Sequence, residues 1–238
     1  MTRKPKARRR AQAQPAAAAR GSSDRHKAVD ALMGLLAEHS FHEIGLAEVA
    51  GRAGLNLSQL RAEFGSTLAI LAAHIKNIDH IVLGGGDAEI SEESARERYF
   101  ELLMRRLEAL APYKAAVRSL LRSARRSLGL ALAINAMMVR SQTWMLEAAG
   151  IGAHGPHGAL RAQGGALMFG RVLSVWVNDV EPGLDRTMAT LDRALSSAER
   201  WDGFLSDLCA IPKFIARGRR RRRRRGDDEA VEADAASA

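Results

Sequence analysis

Apolar residues recur at helical spacing in segment after segment, Leu and Ala are abundant, and β-branched runs are scarce. That pattern predicts an all-α protein. A first helix is predicted from Asp24 to Ser40, with Ala28, Leu32, Leu35, Leu36 and His39 on one stripe and Ser23 or Asp24 as its cap. Phe41 to Gly45 follows as an apolar turn ending in Gly. The stretch from Leu46 to Phe64 then reads as two short helices joined by a tight turn. Ala47, Val49, Ala50 and Ala53 give the first helix a small apolar face, and Gly54 permits the positive φ that ends it. Leu55 is an apolar plug, and Asn56 or Ser58 can cap the second helix. Leu60 and Phe64, four apart, form its buried stripe and leave Gln59, Ala62 and Glu63 outside. This spacing is that of a helix-turn-helix, whose second helix can enter a DNA major groove. The plainer alternative is two bundle helices joined at a Gly.

The pattern continues with a cap signal at Gly65-Ser66-Thr67 and a longer helix from Thr67 to about Leu83, with Leu68, Leu71, Ile75, Ile78 and Val82 inward. Gly84-Gly85-Gly86-Asp87 marks a boundary. A new helix is predicted from Ser94 to Ala111, burying Tyr99, Leu102, Leu103, Leu107 and Leu110 and leaving Arg105, Arg106 and Glu108 outside. Pro112 opens the next, through Val117, Leu120 and Leu121. Leu128 to Ala149 is apolar on most sides, which predicts a central helix. Residues 150–158 read as a loop, and 159–179 and 184–205 as two further helices.

Charge divides the chain differently. The net charge is +9 over 238 residues. Residues 1–20 hold seven Lys and Arg and no acid, 217–225 hold eight Arg, and 226–238 hold five acids and no base, which leaves residues 21–216 at −1. Residues 24–66 carry four Lys and Arg against six Asp and Glu. That balance counts against strong DNA binding by the helix-turn-helix alone, because phosphate neutralisation supplies most nonspecific affinity. Residues 1–22 read as a disordered basic arm suited to DNA phosphates or a minor groove, with a mitochondrial transit peptide and a solvated leader as the other readings.

Little points to catalysis. The triple Gly follows no strand and precedes no Lys-Ser or Lys-Thr, so it is not a phosphate loop. His154 and His157 lack an obvious third metal ligand. No nucleophile stands in a recognisable catalytic context, and no cofactor is expected. The lone Cys209 excludes an intrachain disulfide and suits a reducing, cytoplasmic setting, and no apolar run has the length of a membrane span. Met137, Met138, Trp144, Met145, Met168, Phe169 and Trp176 can line an apolar cavity or simply fill a bundle core.

Helix, turn, helix-turn-helix, Phe64-Gly65-Ser66 and long helix together resemble the DNA-binding domain of the tetracycline-repressor (TetR) family over about Asp24 to Ala73. The resemblance implies a helix-turn-helix head with its linking helix over 23–83 and a helical ligand-binding and dimerisation domain over 88–216. It implies a transcriptional regulator, a repressor controlled by a small hydrophobic ligand in the apolar set above. Asn56, Ser58, Gln59, Arg61, Ala62, Ser66 and Thr67 fall where such a protein meets DNA. The chain departs from the family at Leu46, where Thr is common, at Arg61, where Tyr is common, and at Thr67, where Lys is common. Arg61 still reaches a phosphate, whereas Thr67 offers one neutral hydrogen bond. Leu160, Leu167, Val172, Val175 and Trp176, with Met188, Leu191, Leu195 and Trp201, match the helix pair that forms a four-helix homodimer interface in TetR-like proteins.

Ala109 to Lys114, Trp144-Met145 with Ala148-Ala149-Gly150, and Asp185 to Leu195 also resemble a branch similar to the ubiquinone-biosynthesis accessory proteins, which implies a lipid-binding alternative without specific DNA binding. The end of the chain leaves three readings open. Trp201, Phe204, Leu205, Leu208, Ile211, Phe214 and Ile215 share an apolar face just ahead of the Arg run, and residues 217–238 read as disordered. The apolar face can pack on the core, 201–225 can lie on an anionic membrane surface, or the Arg run can bind nucleic acid, with the acidic tail folding back to mask it.

Overall fold

The computed structural model describes residues 7–85, 94–181 and 183–197, with side chains from Ser23 onward. All regular elements among these residues are helical: α1 (Ala7–Glu38), α2 (Leu46–Ala53), α3 (Leu57–Glu63), α4 (Thr67–Leu83), α5 (Ala95–Leu110), a 3-10 turn (Ala111–Tyr113), α6 (Lys114–Arg126), α7 (Leu128–Ala148), α8 (Gly155–Trp176) and α9 (residues 185–197). The described residues up to Asp192 form one compact unit, and those from Arg193 belong to a second. The apolar stretch 201–217, the Arg run and the acidic tail lie outside the described residues.

The head is built around α1. Its stripe of Ala28, Leu32, Leu35 and Leu36 is fully buried and packs with Val49 and Ala50 of α2, Leu60 of α3, Phe64, and Ile70 and Leu71 of α4. Each large side chain taken from water here contributes on the order of 1.5–3 kcal/mol, so this stripe fixes the head. Three details of α1 differ from the sequence pattern. The helix begins at Ala7, so most of the arm expected as irregular over 1–22 is helical, in keeping with the helix propensity of its many Ala. Asp24 consequently caps nothing and instead pairs with Lys27 at 3.5 Å. His39 lies past the last helical residue and is exposed.

The head is joined to the body in two places. On α6, Ser119 donates its hydroxyl to the His39 carbonyl at 2.8 Å, and the Ser123 hydroxyl accepts from the Phe41 N–H at 3.1 Å. These serines are four apart, one turn of helix, so one face of α6 holds both sides of the turn after α1. The second join is α4, which packs on α1 and also on α5 and α7.

The body surrounds a polar cluster. Arg106, expected outside, is buried on α5 and pairs with Asp79 of α4 at 2.8 Å. The Ser141 hydroxyl of α7 donates to Asp79 at 2.7 Å and also contacts the Arg106 guanidinium, which stacks 5.3 Å from the Phe169 ring centroid. A buried charge persists only with such partners. Tyr99 donates to Gln142 at 2.6 Å, and a Cβ at Gly165 would stand 2.7 Å from the Tyr99 oxygen, so glycine lets α8 close over this pair. His74 is buried edge-on to Tyr113, with ring centroids 4.5 Å apart; burial, and secondarily the Arg106 charge, lower its pKa to about 4.

The helix α7 is not covered on all sides. Leu130, Ser141, Gln142, Met145 and Leu146 are buried, while Leu128, Leu132 and Trp144 are exposed. Its apolar composition marks two faces, and this chain covers one. The start of α9 is fixed by Asp179, whose carboxylate accepts from the Thr187 N–H and hydroxyl at 3.0 and 2.7 Å; those bonds hold its pKa below the usual carboxylate range.

Candidate nucleic-acid interface

The tight turn forms as the residue types dictate. Gly54 takes φ 65°, ψ 30°, a left-handed conformation that costs a side-chain-bearing residue about 1–2 kcal/mol. Its N–H reaches back to the carbonyls of Ala50 and Gly51, and the Leu55 N–H bonds the Ala50 carbonyl at 2.9 Å. Leu55 is buried beneath the turn. Asn56 then starts α3 with a capping box: its Oδ1 accepts from the Gln59 N–H at 2.8 Å, and the Gln59 Oε1 accepts from the Asn56 N–H at 3.0 Å. Leu60 and Phe64 are buried as the spacing requires.

The opposite side of α3 is uncovered. Asn56, Leu57, Ser58, Gln59, Arg61 and Ala62 are all exposed, and Ser66 is exposed at the start of α4. Thr67 is half-buried. Ser66 caps α4, its hydroxyl oxygen accepting from the Ala69 N–H at 3.1 Å. The capping bonds occupy one lone pair each on the oxygens of Asn56, Gln59 and Ser66. Their donors are unused by these bonds: two carboxamide NH2 groups and a hydroxyl hydrogen. With Arg61 they form a donor-rich face matched to phosphate oxygens and to purine N7 acceptors. Gln59 differs from its expected role in one respect, since its carboxamide is folded against the helix start rather than extended.

Leu57 was not singled out by sequence reasoning. It is 56% exposed at the first turn of α3, off the Leu60–Phe64 stripe. An exposed Leu directly after a helix cap is its only sequence signal. Such a group suits a thymine methyl.

The electrostatics of the head are subdued. Arg52 forms a two-pronged pair with Glu38, at 3.0 and 2.6 Å, which holds the Glu38 carboxyl below its usual range. Arg25 lies 4.6 Å from the Phe64 ring centroid and 4.0 Å from Glu63. Arg61 has no ion-pair partner among the described residues.

The fold has counterparts among solved structures. A TetR transcriptional regulator from Nitrosomonas europaea ATCC 19718 is similar at 23% identity and TM-score 0.56, over 74% of this chain and 97% of that one. One from Rhodococcus sp. RHA1 is similar at 23% identity and TM-score 0.53, over 73% and 94%. This chain has the TetR fold. A TetR-family regulator from Streptomyces coelicolor matches at 12% identity and TM-score 0.50, over 77% and 86%. No protein-family model and no curated protein matches the chain.

Within that TetR fold the residues considered for a ligand cavity do not share one environment. Met145, Phe169 and Trp176 are buried, Phe169 beneath Arg106 and Trp176 with the Lys114 ammonium 5.2 Å from its ring centroid. Met137 is half-buried against the head core, and Met138 and Met168 are half-buried. Trp144 is 60% exposed on α7, so it lines no interior in this chain. In the pair of helices considered for a dimer, Leu160 and Leu167 of α8 are exposed, whereas Val172, Trp176 and Leu191 are already buried. Trp201 lies outside the described residues. No described helix is long and apolar enough to cross a membrane.

Proposed function

We propose that this protein is a DNA-binding transcriptional regulator that acts as a homodimer and by binding rather than catalysis. The observation that carries the reading is the exposed donor face of α3 on a capped helix-turn-helix. Asn56, Ser58, Gln59, Arg61 and Ala62 would meet base edges or phosphates, with Ser66 and Thr67 at the start of α4 on the flanking backbone. Leu57 joins this set as an apolar contact. The fold shared with TetR regulators supports the reading. Exposed Leu160 and Leu167 on α8 supply an apolar face for the second copy, which would set two reading helices about one DNA turn apart.

Repression relieved by a small hydrophobic ligand completes the proposal. Such a molecule would lodge among Met145, Met168, Phe169 and Trp176 and favour one spacing of the heads, since a ligand shifts an equilibrium only by preferring one state. A cytoplasmic location fits this role.

The test is selection from a random duplex library by the full-length protein at physiological salt. The expected product is a two-fold symmetric site with half-sites roughly 34–36 Å apart. Retention without any enriched sequence overturns the regulator. Sedimentation of the free protein as a monomer at micromolar concentration overturns the dimer.

A further inference from the structure

In the polar cluster of the body, three buried atoms have no hydrogen-bond partner among the described residues: Nε of Arg106, Nε2 of Gln142 and Nε2 of His74. Their side chains belong to residues only 1%, 0% and 4% exposed. The rest of the cluster is engaged. The other end of the Arg106 guanidinium meets Asp79 and Ser141, and the Gln142 oxygen accepts from Tyr99. The Arg106 charge acts on both His74 and Tyr99, so the three unpaired groups share one neighbourhood between α4, α5 and α7. Phe169 of α8 lies against the guanidinium, and buried Met145 follows Gln142 by three residues on α7.

The chemistry of these atoms is one-sided. Arg106 Nε–H can only donate, and Gln142 Nε2 carries two hydrogens. His74, with a pKa of about 4, is uncharged at neutral pH and offers Nε2 as donor or acceptor according to its tautomer. Native interiors leave few such groups unpaired, because each then bears its full desolvation cost. The set calls for an oxygen acceptor. A buried water is the smallest candidate, but Phe169, Met145 and the half-buried Met168 supply an apolar, adaptable wall suited to a larger guest. Charge narrows the class further. Asp79 already neutralises Arg106, so a carboxylate would enter as an uncompensated buried charge, whereas a neutral carbonyl would not.

We propose that Arg106, Gln142 and His74 form a recognition site for the oxygen of an uncharged carbonyl compound, a ketone or ester, whose apolar remainder lies against Phe169, Met145 and Met168. The assignment rests on the small-ligand reading above and names the chemistry of that ligand.

The experiment titrates the full-length protein calorimetrically, at neutral pH, into three molecules of matched shape: benzylacetone, butylbenzene and hydrocinnamate. They differ in carrying a ketone, no oxygen and a carboxylate. Benzylacetone is expected to bind at least as tightly as butylbenzene, although a plain apolar core prefers the hydrocarbon, and about ten-fold more tightly than hydrocinnamate. The infrared carbonyl band of bound benzylacetone should lie below its position in hexane. Q142M and H74F should each weaken benzylacetone about five-fold and leave butylbenzene unchanged. H74F spares the Tyr99–Gln142 bond, and the band shift needs no variant. Tighter binding of butylbenzene with the ketone band at its hexane position overturns the proposal and leaves a hydrophobic-ligand regulator standing. Tighter binding of hydrocinnamate overturns it as well. Binding of none of the three means that an internal water alone fills the site, and overturns it too. If no operator is selected yet benzylacetone binds with a shifted band, the regulator falls and this inference stands.

Discussion

Asp79 of α4 and Arg106 of α5 meet at 2.8 Å in the interior, and Ser141 of α7 bonds the Asp79 carboxylate. One ion pair thus ties the helix that carries the head to two helices of the body. Removing either member strands the other charge without water. D79A is expected to destabilise the protein by about 3–5 kcal/mol, and the double variant D79L/R106M by much less, because matched apolar groups leave no charge behind. Urea denaturation of both variants checks this. Equal losses in the single and double variants would mean that packing rather than pairing holds the site.

The buried His74 sets a pH window. Its folded-state pKa is about 4 against 6.5 when unfolded. Above pH 6.5 both states are neutral at this site and the stability is fully present. As pH falls from 6.5 toward 4, the unfolded chain binds the proton first, so stability drops. Between pH 7 and pH 5 the expected loss from this residue is about 2 kcal/mol. The H74F variant should lack that component, which paired urea titrations of wild type and variant at the two pH values will reveal.

The join between the head and α6 of the body gives a local prediction. Phe41 is buried and its N–H bonds the Ser123 hydroxyl. S123A leaves that N–H unpaired, at an expected cost of about 1–3 kcal/mol. Hydrogen exchange should show the Phe41 amide losing protection while amides of α8 keep theirs.

The helix-turn-helix was legible in the sequence because its determinants are local. Gly54, the cap Asn56 and the Leu60–Phe64 spacing lie within one window and act on one another directly. Asn56 was legible as one of two candidate caps, but Gln59 was read only as an outward DNA contact, whereas its carboxamide is engaged at the helix start. Arg106 was not legible. An arginine beside Arg105 reads as surface, and its burial depends on Asp79 and Ser141, which the chain brings together only through tertiary packing. For α7, composition announced apolar faces without saying which this chain covers, since Trp144 and Leu132 wait on the surface while Ser141 and Gln142 go inside.

The turn itself offers the sharpest separation between folding and binding. G54A forces a Cβ into a backbone with φ 65° and is expected to cost about 1–2 kcal/mol of stability, lowering Tm by a few degrees. R61A removes an exposed cation that bonds nothing in the described structure, so its Tm should match the wild type. On a selected operator, however, R61A should lose about 1–3 kcal/mol if Arg61 reads a base, with weakened discrimination at one base pair. If it holds a phosphate, affinity should fall evenly across sequences and the salt slope by about one. Calorimetry and operator titration of the two variants side by side distinguish these outcomes. An R61A protein that binds operator as tightly as wild type would remove α3 from the interface.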